Sequence, residues 1–295
     1  MSAPPSEPHE CEHAQALAQR SKATADARKQ ALDTLLKRHK QDNHKIEPTL
    51  VPLAKDLIDL LADKHSKDVA EKADELLTLL VQKASPHATA ALMPAILDEQ
   101  SNKPASNLGR AKLLEKLASA NPAQMRRLLT DAIPALTTLM WDTKPAVKDA
   151  AQAAMVAVSS TVANRDIGDF IPEIVACIRA PETTAETIHK LAGVVFVQEI
   201  DGSALALMAP LLKRGFDEPT TSIKRNAARI VENMAKLVDD PYEVAPFVPL
   251  LLPALARAKD EVSDPECRDV CSKAHDQLAR TANKPPVWNR VDLPK

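Results

Sequence analysis

Six basic residues are the side chains in this sequence whose type and spacing best fit a binding chemistry. Lys213 and Arg214 end one predicted helix, and three more cations begin the next. The six are Lys148, Lys213, Arg214, Lys224, Arg225 and Arg229. Residues four apart on a helix share one face, so Arg225 and Arg229 are neighbours. A ridge of such cations can meet phosphates, and we take these residues as candidate RNA contacts. The alternative is a solvated helix face balanced by acidic residues.

Aromatic side chains are scarce, at 2% of the 295 residues. Trp141 follows Leu139 and Met140, and we expect it in the core between repeats. Base recognition in single-stranded RNA depends on exposed aromatic rings. We therefore expect any RNA contact to address backbone and shape rather than bases.

Two groups of residues have the types that ligate metals. The first is His9-Glu10-Cys11-Glu12-His13, in which His9, Cys11 and His13 could hold an ion. The second is Cys267, Cys271 and His275, spaced four apart on one predicted helix face. That second group spans about 12 Å along a helix, too far for one tetrahedral ion. We interpret the first group as a polar tail and the cysteines as core, and expect no metal.

The sequence has no phosphate-binding loop, since its five glycines are scattered and G-x-x-x-x-G-K-[S/T] does not occur. The H-E-x-x-H pattern occurs once, as His9-Glu10-Cys11-Glu12-His13, in the stretch interpreted above as a polar tail. A HEAT-like metal hydroxylase would need His-Glu pairs on successive repeats, and the one such dipeptide is His9-Glu10. We therefore predict a non-enzymatic protein without cofactors or a small-molecule substrate.

The elements that would position the candidate cations follow from a ladder of prolines flanked by apolar residues. The prolines are Pro52, Pro94, Pro134, Pro172, Pro210 and Pro253, at intervals of 38 to 43 residues. A period near forty is typical of helical repeat arrays. Proline fits the first turn of a helix, where its missing N–H has no intrahelical partner. We therefore expect each proline to open the first helix of a repeat.

A second, Ala-rich helix closes each predicted repeat, for example 147–158 and 223–238. Lys148 and Lys224 follow their repeat's proline at the same distance, which places them at equivalent positions. Two helices per unit indicate HEAT repeats; armadillo repeats, with three, are the alternative. The same register puts the strand-like segment 194–197 in a second helix.

Composition supports an all-α HEAT-repeat solenoid of about six to seven two-helix repeats. Five glycines and few aromatic residues argue against a sandwich or barrel. We expect a disordered N-terminal tail over 1–22, one continuous solenoid over 23–282 and an extended C-terminal tail over 283–295. An amphipathic helix near 23–40, with Leu32 and Leu36 inward, would belong to an incomplete first repeat.

The net charge of −2 argues against a strong overall attraction to nucleic acid or to an anionic membrane. The sequence has no apolar run of membrane-spanning length and no secretory leader pattern. Its four cysteines lack a disulfide framework spacing. These features predict a cytoplasmic protein without a membrane partner.

Three segments carry a family resemblance: 140–155, 164–178 and 223–255. They resemble the N-terminal HEAT region of translation elongation factor three, a ribosome-bound ABC-type ATPase. We find the likeness strongest over 130–282, diffuse over 45–130 and absent from the N-terminal tail. A segment of a general-control activator of a stress kinase is similar as well, and it stays an alternative.

The resemblance implies docking on protein and RNA of the small ribosomal subunit. Lys148, Lys224 and Arg225 match the resembling segments and carry this role over. The family's ATPase cassettes have no counterpart here, so ATP hydrolysis is not carried over. We predict a HEAT-repeat module of protein synthesis that docks on the ribosome, as a free-standing paralogue or an excised domain. A generic adaptor between proteins is the alternative.

Overall fold

The computed structural model describes residues 25–41, 46–63, 65–83, 85–98 and 103–287. Within these ranges the chain is helical and contains no strand. In chain order the helices are α1 (Ala25–Gln41), α2 (Ile46–Leu50), α3 (Ala54–Leu60), α4 (Lys67–Lys83), α5 (Ala88–Ile96), α6 (Pro104–Ala120), α7 (Pro122–Arg126), α8 (Leu129–Met140), α9 (Pro145–Ser159), α10 (Arg165–Gly168), α11 (Ile171–Arg179), α12 (Thr184–Leu191), α13 (Gly202–Asp217), α14 (Thr221–Lys236), α15 (Pro241–Val244), α16 (Val248–Glu261) and α17 (Pro265–Ala282). The predicted all-α class is confirmed.

The helices follow the predicted alternation of first and second helices. In the described ranges the second helices are α4, α6, α9, α12, α14 and α17, and α1 precedes the first complete repeat. Four first-helix segments are split into a short leading helix and a longer one, for example α15 and α16. The repeat architecture of two-helix units is confirmed. The predicted limits of the solenoid and the tails stay predictions.

The chain forms two compact units. The first contains the described residues up to Met125 together with Pro134–Val158. The second contains Arg126–Ile133 together with the described residues from Ser159 onward.

Amphipathic patterning explains why the second helices form. In α14 the buried residues include Ile223, Ala227, Ile230 and Met234, which recur every three or four positions. That spacing lines one face of a helix, and this face packs into the core. The predicted inward residues of α1 behave in the same way, since Leu32 and Leu36 are buried.

The prolines lie elsewhere in the first helices than predicted. Pro94, Pro134, Pro210 and Pro253 are inside α5, α8, α13 and α16 rather than in their first turns. Pro172 is near the start of its helix, as predicted, and Pro52 lies in the turn just before α3. The prediction failed because helix formation begins upstream in apolar sequence. Each interior proline removes one i→i−4 hydrogen bond and favours a bend.

Polar contacts link positions one repeat apart, within each unit. In the first unit Arg28 pairs with Asp63 at 3.1 Å, and the Asn107 amide donates to Asp142 at 3.0 Å. In the second, Asn164 donates to the Glu199 carbonyl oxygen at 3.1 Å. The two hydrogen-bonded pairs are each separated by 35 residues in sequence. Polar contacts thus join neighbouring repeats at a separation slightly shorter than the proline period.

The segment 194–197 is not helical, which corrects the prediction from register. The second helix α12 ends at Leu191, and the chain then runs in an irregular conformation to Ile200. Asp166 accepts hydrogen bonds from the backbone N–H groups of Val197 and Gln198, at 2.7 and 2.8 Å. These bonds replace the intrahelical ones for β-branched sequence with modest helix propensity.

Candidate functional site

Five of the six predicted contact residues come together on one helix pair in the second unit. Lys213 and Arg214 lie near the end of α13, and Lys224, Arg225 and Arg229 lie in the first half of α14. A connection of three residues joins the helices, which makes them antiparallel neighbours. The sixth residue, Lys148, belongs to α9 in the first unit.

Arg225 is engaged with carboxylates of the following repeat. Its guanidinium pairs with Asp264, and its Nη1 lies 3.2 Å from Glu266 Oε2. The hydrogen bond and charge of Asp264 and the charge of Glu266 raise the pKa of Arg225 against the opposing effect of burial. The hydrogen bond from Arg225 lowers the pKa of Asp264 in return. Asp264 also caps α17 by accepting from the Glu266 backbone N–H, at 3.3 Å.

Lys213 and Arg214 are engaged as well. Lys213 pairs with Asp217, and Arg257 from the next repeat lies 3.2 Å from the same carboxylate. Partial burial acts to raise the pKa of Asp217, but its bonds and charge contacts with Lys213 and Arg257 outweigh burial and lower it. The Arg214 Nη1 donates to the Cys177 carbonyl oxygen at 3.0 Å. Arg214 therefore connects α13 to α11, whereas the Lys213 pair lies within α13.

Lys148, Lys224 and Arg229 differ from the other three. None of them has a carboxylate within 4.0 Å in the part of the chain that the structure describes. Lys148 is three residues after the start of α9 and Lys224 three residues after the start of α14, so their predicted equivalence is confirmed. Thr220, before α14, makes no side-chain capping hydrogen bond. Unsatisfied N–H groups at a helix N-terminus attract anions, and Lys224 adds its charge there.

The sequence pattern along one helix did not reveal the carboxylates that pair with these cations from neighbouring repeats. Asp264 is 39 residues after Arg225, and Asp217 is 40 residues before Arg257. The signal that could have found them is the repeat period itself. An acidic residue one period away from a basic residue reaches it on the neighbouring repeat.

The candidate metal groups contribute no site in the described ranges. His9, Cys11 and His13 lie outside those ranges. Cys267 and Cys271 are buried, as their interpretation as core residues predicted, and burial raises the pKa of Cys271 to about 12. His275 Nδ1 instead lies 3.1 Å from Asp276. Across the ranges that the structure covers, no three His, Cys, Asp or Glu residues are grouped closely enough to hold a metal ion.

Two aromatic residues lie on the surface. Trp141 is 57% exposed, so its predicted place in the core is wrong. It follows the last residue of α8, and Met140 fills the buried position instead. Tyr242, on α15, is 60% exposed. The surface therefore offers more aromatic area than the composition suggested.

None of the helices in the described ranges combines the length and the apolar character that crossing a membrane requires.

Comparison with known families gives two matches along the chain. Residues 7–155 match the family described as "EF3 N-terminal HEAT repeat", and residues 182–287 match "Elongation factor 3/GNC1 HEAT repeat". The first match includes most of the N-terminal tail and the Pro52 and Pro94 repeats. Our expectation that the likeness excludes the N-terminal tail is therefore wrong, and the match also includes the segment 45–130.

Individual relatives agree with these matches. Elongation factor 3 of Phytophthora infestans is 39% identical over 249 residues, which cover 84% of this chain and 24% of the relative. Elongation factor 3 of Candida albicans is 38% identical over 248 residues, covering 82% and 24%. Elongation factor 3A of Saccharomyces cerevisiae is 36% identical over 250 residues, covering 83% and 24%. The chain spans about a quarter of the length of these relatives. Two-helix repeats, their forty-residue period and both family matches together show that this chain belongs to the elongation factor 3 HEAT-repeat family.

Proposed function

We propose that this chain is a non-enzymatic docking module of the translation machinery that binds the ribosome in the cytoplasm. The partners would be protein and ribosomal RNA of the small subunit. The observation that carries the proposal is the family relationship, which covers residues 7–155 and 182–287 and includes relatives named elongation factor 3.

The cations without a carboxylate partner support this role. Lys148 and Lys224 stand at equivalent positions of two repeats, at the first turn of a second helix. A cation near a helix N-terminus costs about 0.3–1 kcal/mol against the helix dipole. A bound phosphate reverses that cost, because it is attracted by both the N-terminus and the ammonium group. Arg229, exposed on α14, can extend the contact by bidentate bonding.

A non-enzymatic role is consistent with the chemistry of the chain. The sequence has no phosphate-binding G-x-x-x-x-G-K-[S/T] loop. We therefore expect the purified chain to hydrolyse no ATP, and docking to rest on shape complementarity with phosphate and acidic-protein contacts.

Co-sedimentation with ribosomes tests the proposal. We expect wild-type protein to pellet with ribosomes at low and moderate salt, and the triple variant Lys148→Glu, Lys224→Glu, Arg229→Glu to pellet much less. A control for charge reversal elsewhere on the surface is Lys112→Glu, at an exposed α6 residue. A wild-type chain that stays in the supernatant at low salt as well would contradict ribosome docking.

A generic adaptor between proteins is the second candidate. The pairing of Lys213 and Arg225 with carboxylates favours it, because it removes two cations from a phosphate-binding surface. This alternative expects partner capture to be unaffected by the triple charge reversal. The ribosome-docking proposal expects the opposite, with a strong dependence on salt.

A further inference from the structure

A groove in the second unit is separate from the cations considered so far. It encloses about 520 Å³, and its lining residues include Arg126, Arg127, Thr130, Ser203, Tyr242 and Glu243. All six residues belong to the second unit. The volume is within the range of about 300–1,000 Å³ that is typical of ligand sites.

Two arginines give the groove its positive charge. Neither Arg126 nor Arg127 has a carboxylate within 4.0 Å among the residues that the structure describes. A guanidinium group bonds phosphate with two parallel N–H donors, so an adjacent pair suits a phosphodiester. This Arg-Arg dipeptide is not among the predicted contact residues, because it lies upstream of Pro134, outside the two helices predicted for that repeat.

The carboxylates beside the groove are already bonded to the start of α13. Asp201 accepts from the Ala204 backbone N–H at 3.0 Å and from the Ser203 hydroxyl at 2.6 Å. Glu243 accepts from the Gly202 backbone N–H. The positive end of the helix dipole offsets part of their charge. They are therefore poorly placed to neutralise the arginines.

Tyr242 adds an aromatic face. Its side chain is 60% exposed at the groove. Its backbone N–H donates to Asp240 Oδ1 at 3.1 Å, which caps the start of α15, the helix that carries the ring. An exposed ring beside cations is the arrangement that binds single-stranded nucleic acid, where bases stack and phosphates pair.

We infer that this groove binds an unpaired ribonucleotide, with Arg126 and Arg127 on its phosphates and Tyr242 stacked on its base. The inference rests on the proposed function and deepens it, since it adds a base contact to the backbone contacts expected there. An acidic peptide is the other occupant to consider. It would use the arginines but gain little from the ring face, whereas a nucleotide uses both.

Fluorescence anisotropy with a labelled, unstructured oligoribonucleotide of about ten nucleotides tests the groove, because a strand of this length spans a typical single-stranded binding site. We expect Arg126→Glu with Arg127→Glu to weaken binding at least tenfold and to reduce the salt dependence. Tyr242→Ala should weaken binding by about five- to a hundredfold with the salt dependence unchanged, and Tyr242→Trp should restore it. Lys112→Glu serves as the control, and circular dichroism verifies that each variant is folded.

The outcomes separate this inference from the proposed function. Wild-type protein that pellets with ribosomes but whose oligonucleotide affinity is unchanged by both groove variants overturns the groove and leaves ribosome docking standing. Protein that fails to pellet, yet binds the oligonucleotide through the groove residues, overturns docking and supports the groove. Sensitivity to the arginines with none to Tyr242, and equal competition by polyglutamate, favours the acidic peptide and overturns the inference.

Discussion

Arg225 Nη1 lies 3.2 Å from Glu266 Oε2, and the same guanidinium bonds Asp264. The arginine that sequence resemblance marked as a ribosome contact therefore connects α14 to the first turn of α17. A basic residue in the first turns of a helix interacts unfavourably with the helix dipole. At Arg225 the acidic residues of the next repeat offset that cost.

Replacing Arg225 is expected to affect stability more than binding. Arg225→Ala leaves Asp264 and Glu266 without their partner and should lower the thermal midpoint. Arg229→Ala, on the exposed side of the same helix, should leave the midpoint unchanged and weaken ribosome binding. Differential scanning fluorimetry and co-sedimentation measure the two effects. Equal midpoints for the two variants would show that the Arg225 contacts contribute nothing measurable to the fold.

Salt titration of ribosome binding distinguishes cations that contact phosphate from cations that are paired with carboxylates. Each lost phosphate contact should lower the slope of log affinity against log salt by about 1. We expect that change for Lys224→Gln and Arg229→Gln and a smaller one for Lys213→Gln, whose charge is paired with Asp217. If Lys213→Gln reduces the slope as much as Lys224→Gln does, the cations that contact phosphate have been identified wrongly.

Acid should destabilise the fold through carboxylates whose pKa is lowered. The Lys144 backbone N–H, assisted by the Asn107 amide, lowers the pKa of Asp142 despite partial burial, and Asp217 and Asp264 are lowered as well. A folded-state pKa below the unfolded value gives stability that is present above about pH 4 and lost as pH falls through the folded pKa. Thermal midpoints should be constant from pH 6 to 5 and fall below about pH 4. Asp142→Asn should reduce the decrease of the thermal midpoint at low pH. An unaltered dependence of the midpoint on pH would show that Asp142 does not contribute to the acid destabilisation.

The buried cysteines should not react in the folded protein. Burial raises the pKa of Cys267 and that of Cys271, the latter to about 12, so the thiolate fraction is negligible at neutral pH. Iodoacetamide followed by mass spectrometry should find both unmodified in native protein and modified in denaturant. Rapid alkylation of the native chain at either residue would contradict their placement in the core.

Gly215 is expected to tolerate no side chain. A Cβ added there would collide with Ile188 Cδ1 and come within 3.2 Å of the Ala227 Cβ, where α12 and α14 pack against α13. Overpacking costs about 1–3 kcal/mol and outweighs the helix-propensity gain of about 1 kcal/mol, so Gly215→Ala should destabilise the protein in urea denaturation. Gly168→Ala is the matched control, because a Cβ added at Gly168 would meet nothing within 4 Å. If both changes stabilise, the close packing at Gly215 is refuted.

The period of the sequence predicted most of the fold, whereas contacts between repeats decided the rest. Periodicity indicated the two-helix repeats and the matching positions of Lys148 and Lys224, because both depend on local spacing. It could not identify the ion pairs of Arg225, since a pattern along one helix does not reveal a partner 39 residues away. The irregular segment 194–197 was missed for a related reason, as Asp166 stabilises it from outside the segment.

The interior prolines have a mechanical consequence. Pro94, Pro134, Pro210 and Pro253 each interrupt the hydrogen-bond ladder of a first helix, whereas the second helices α9, α14 and α17 have proline at most in their opening turn. A helix that lacks one backbone hydrogen bond bends at a lower energetic cost than a complete helix. Under load, the first helices would yield at their prolines while the second helices stay straight. Each of these repeats therefore bends most easily at the proline of its first helix. The most easily bent positions recur along the chain with the repeats that contain them.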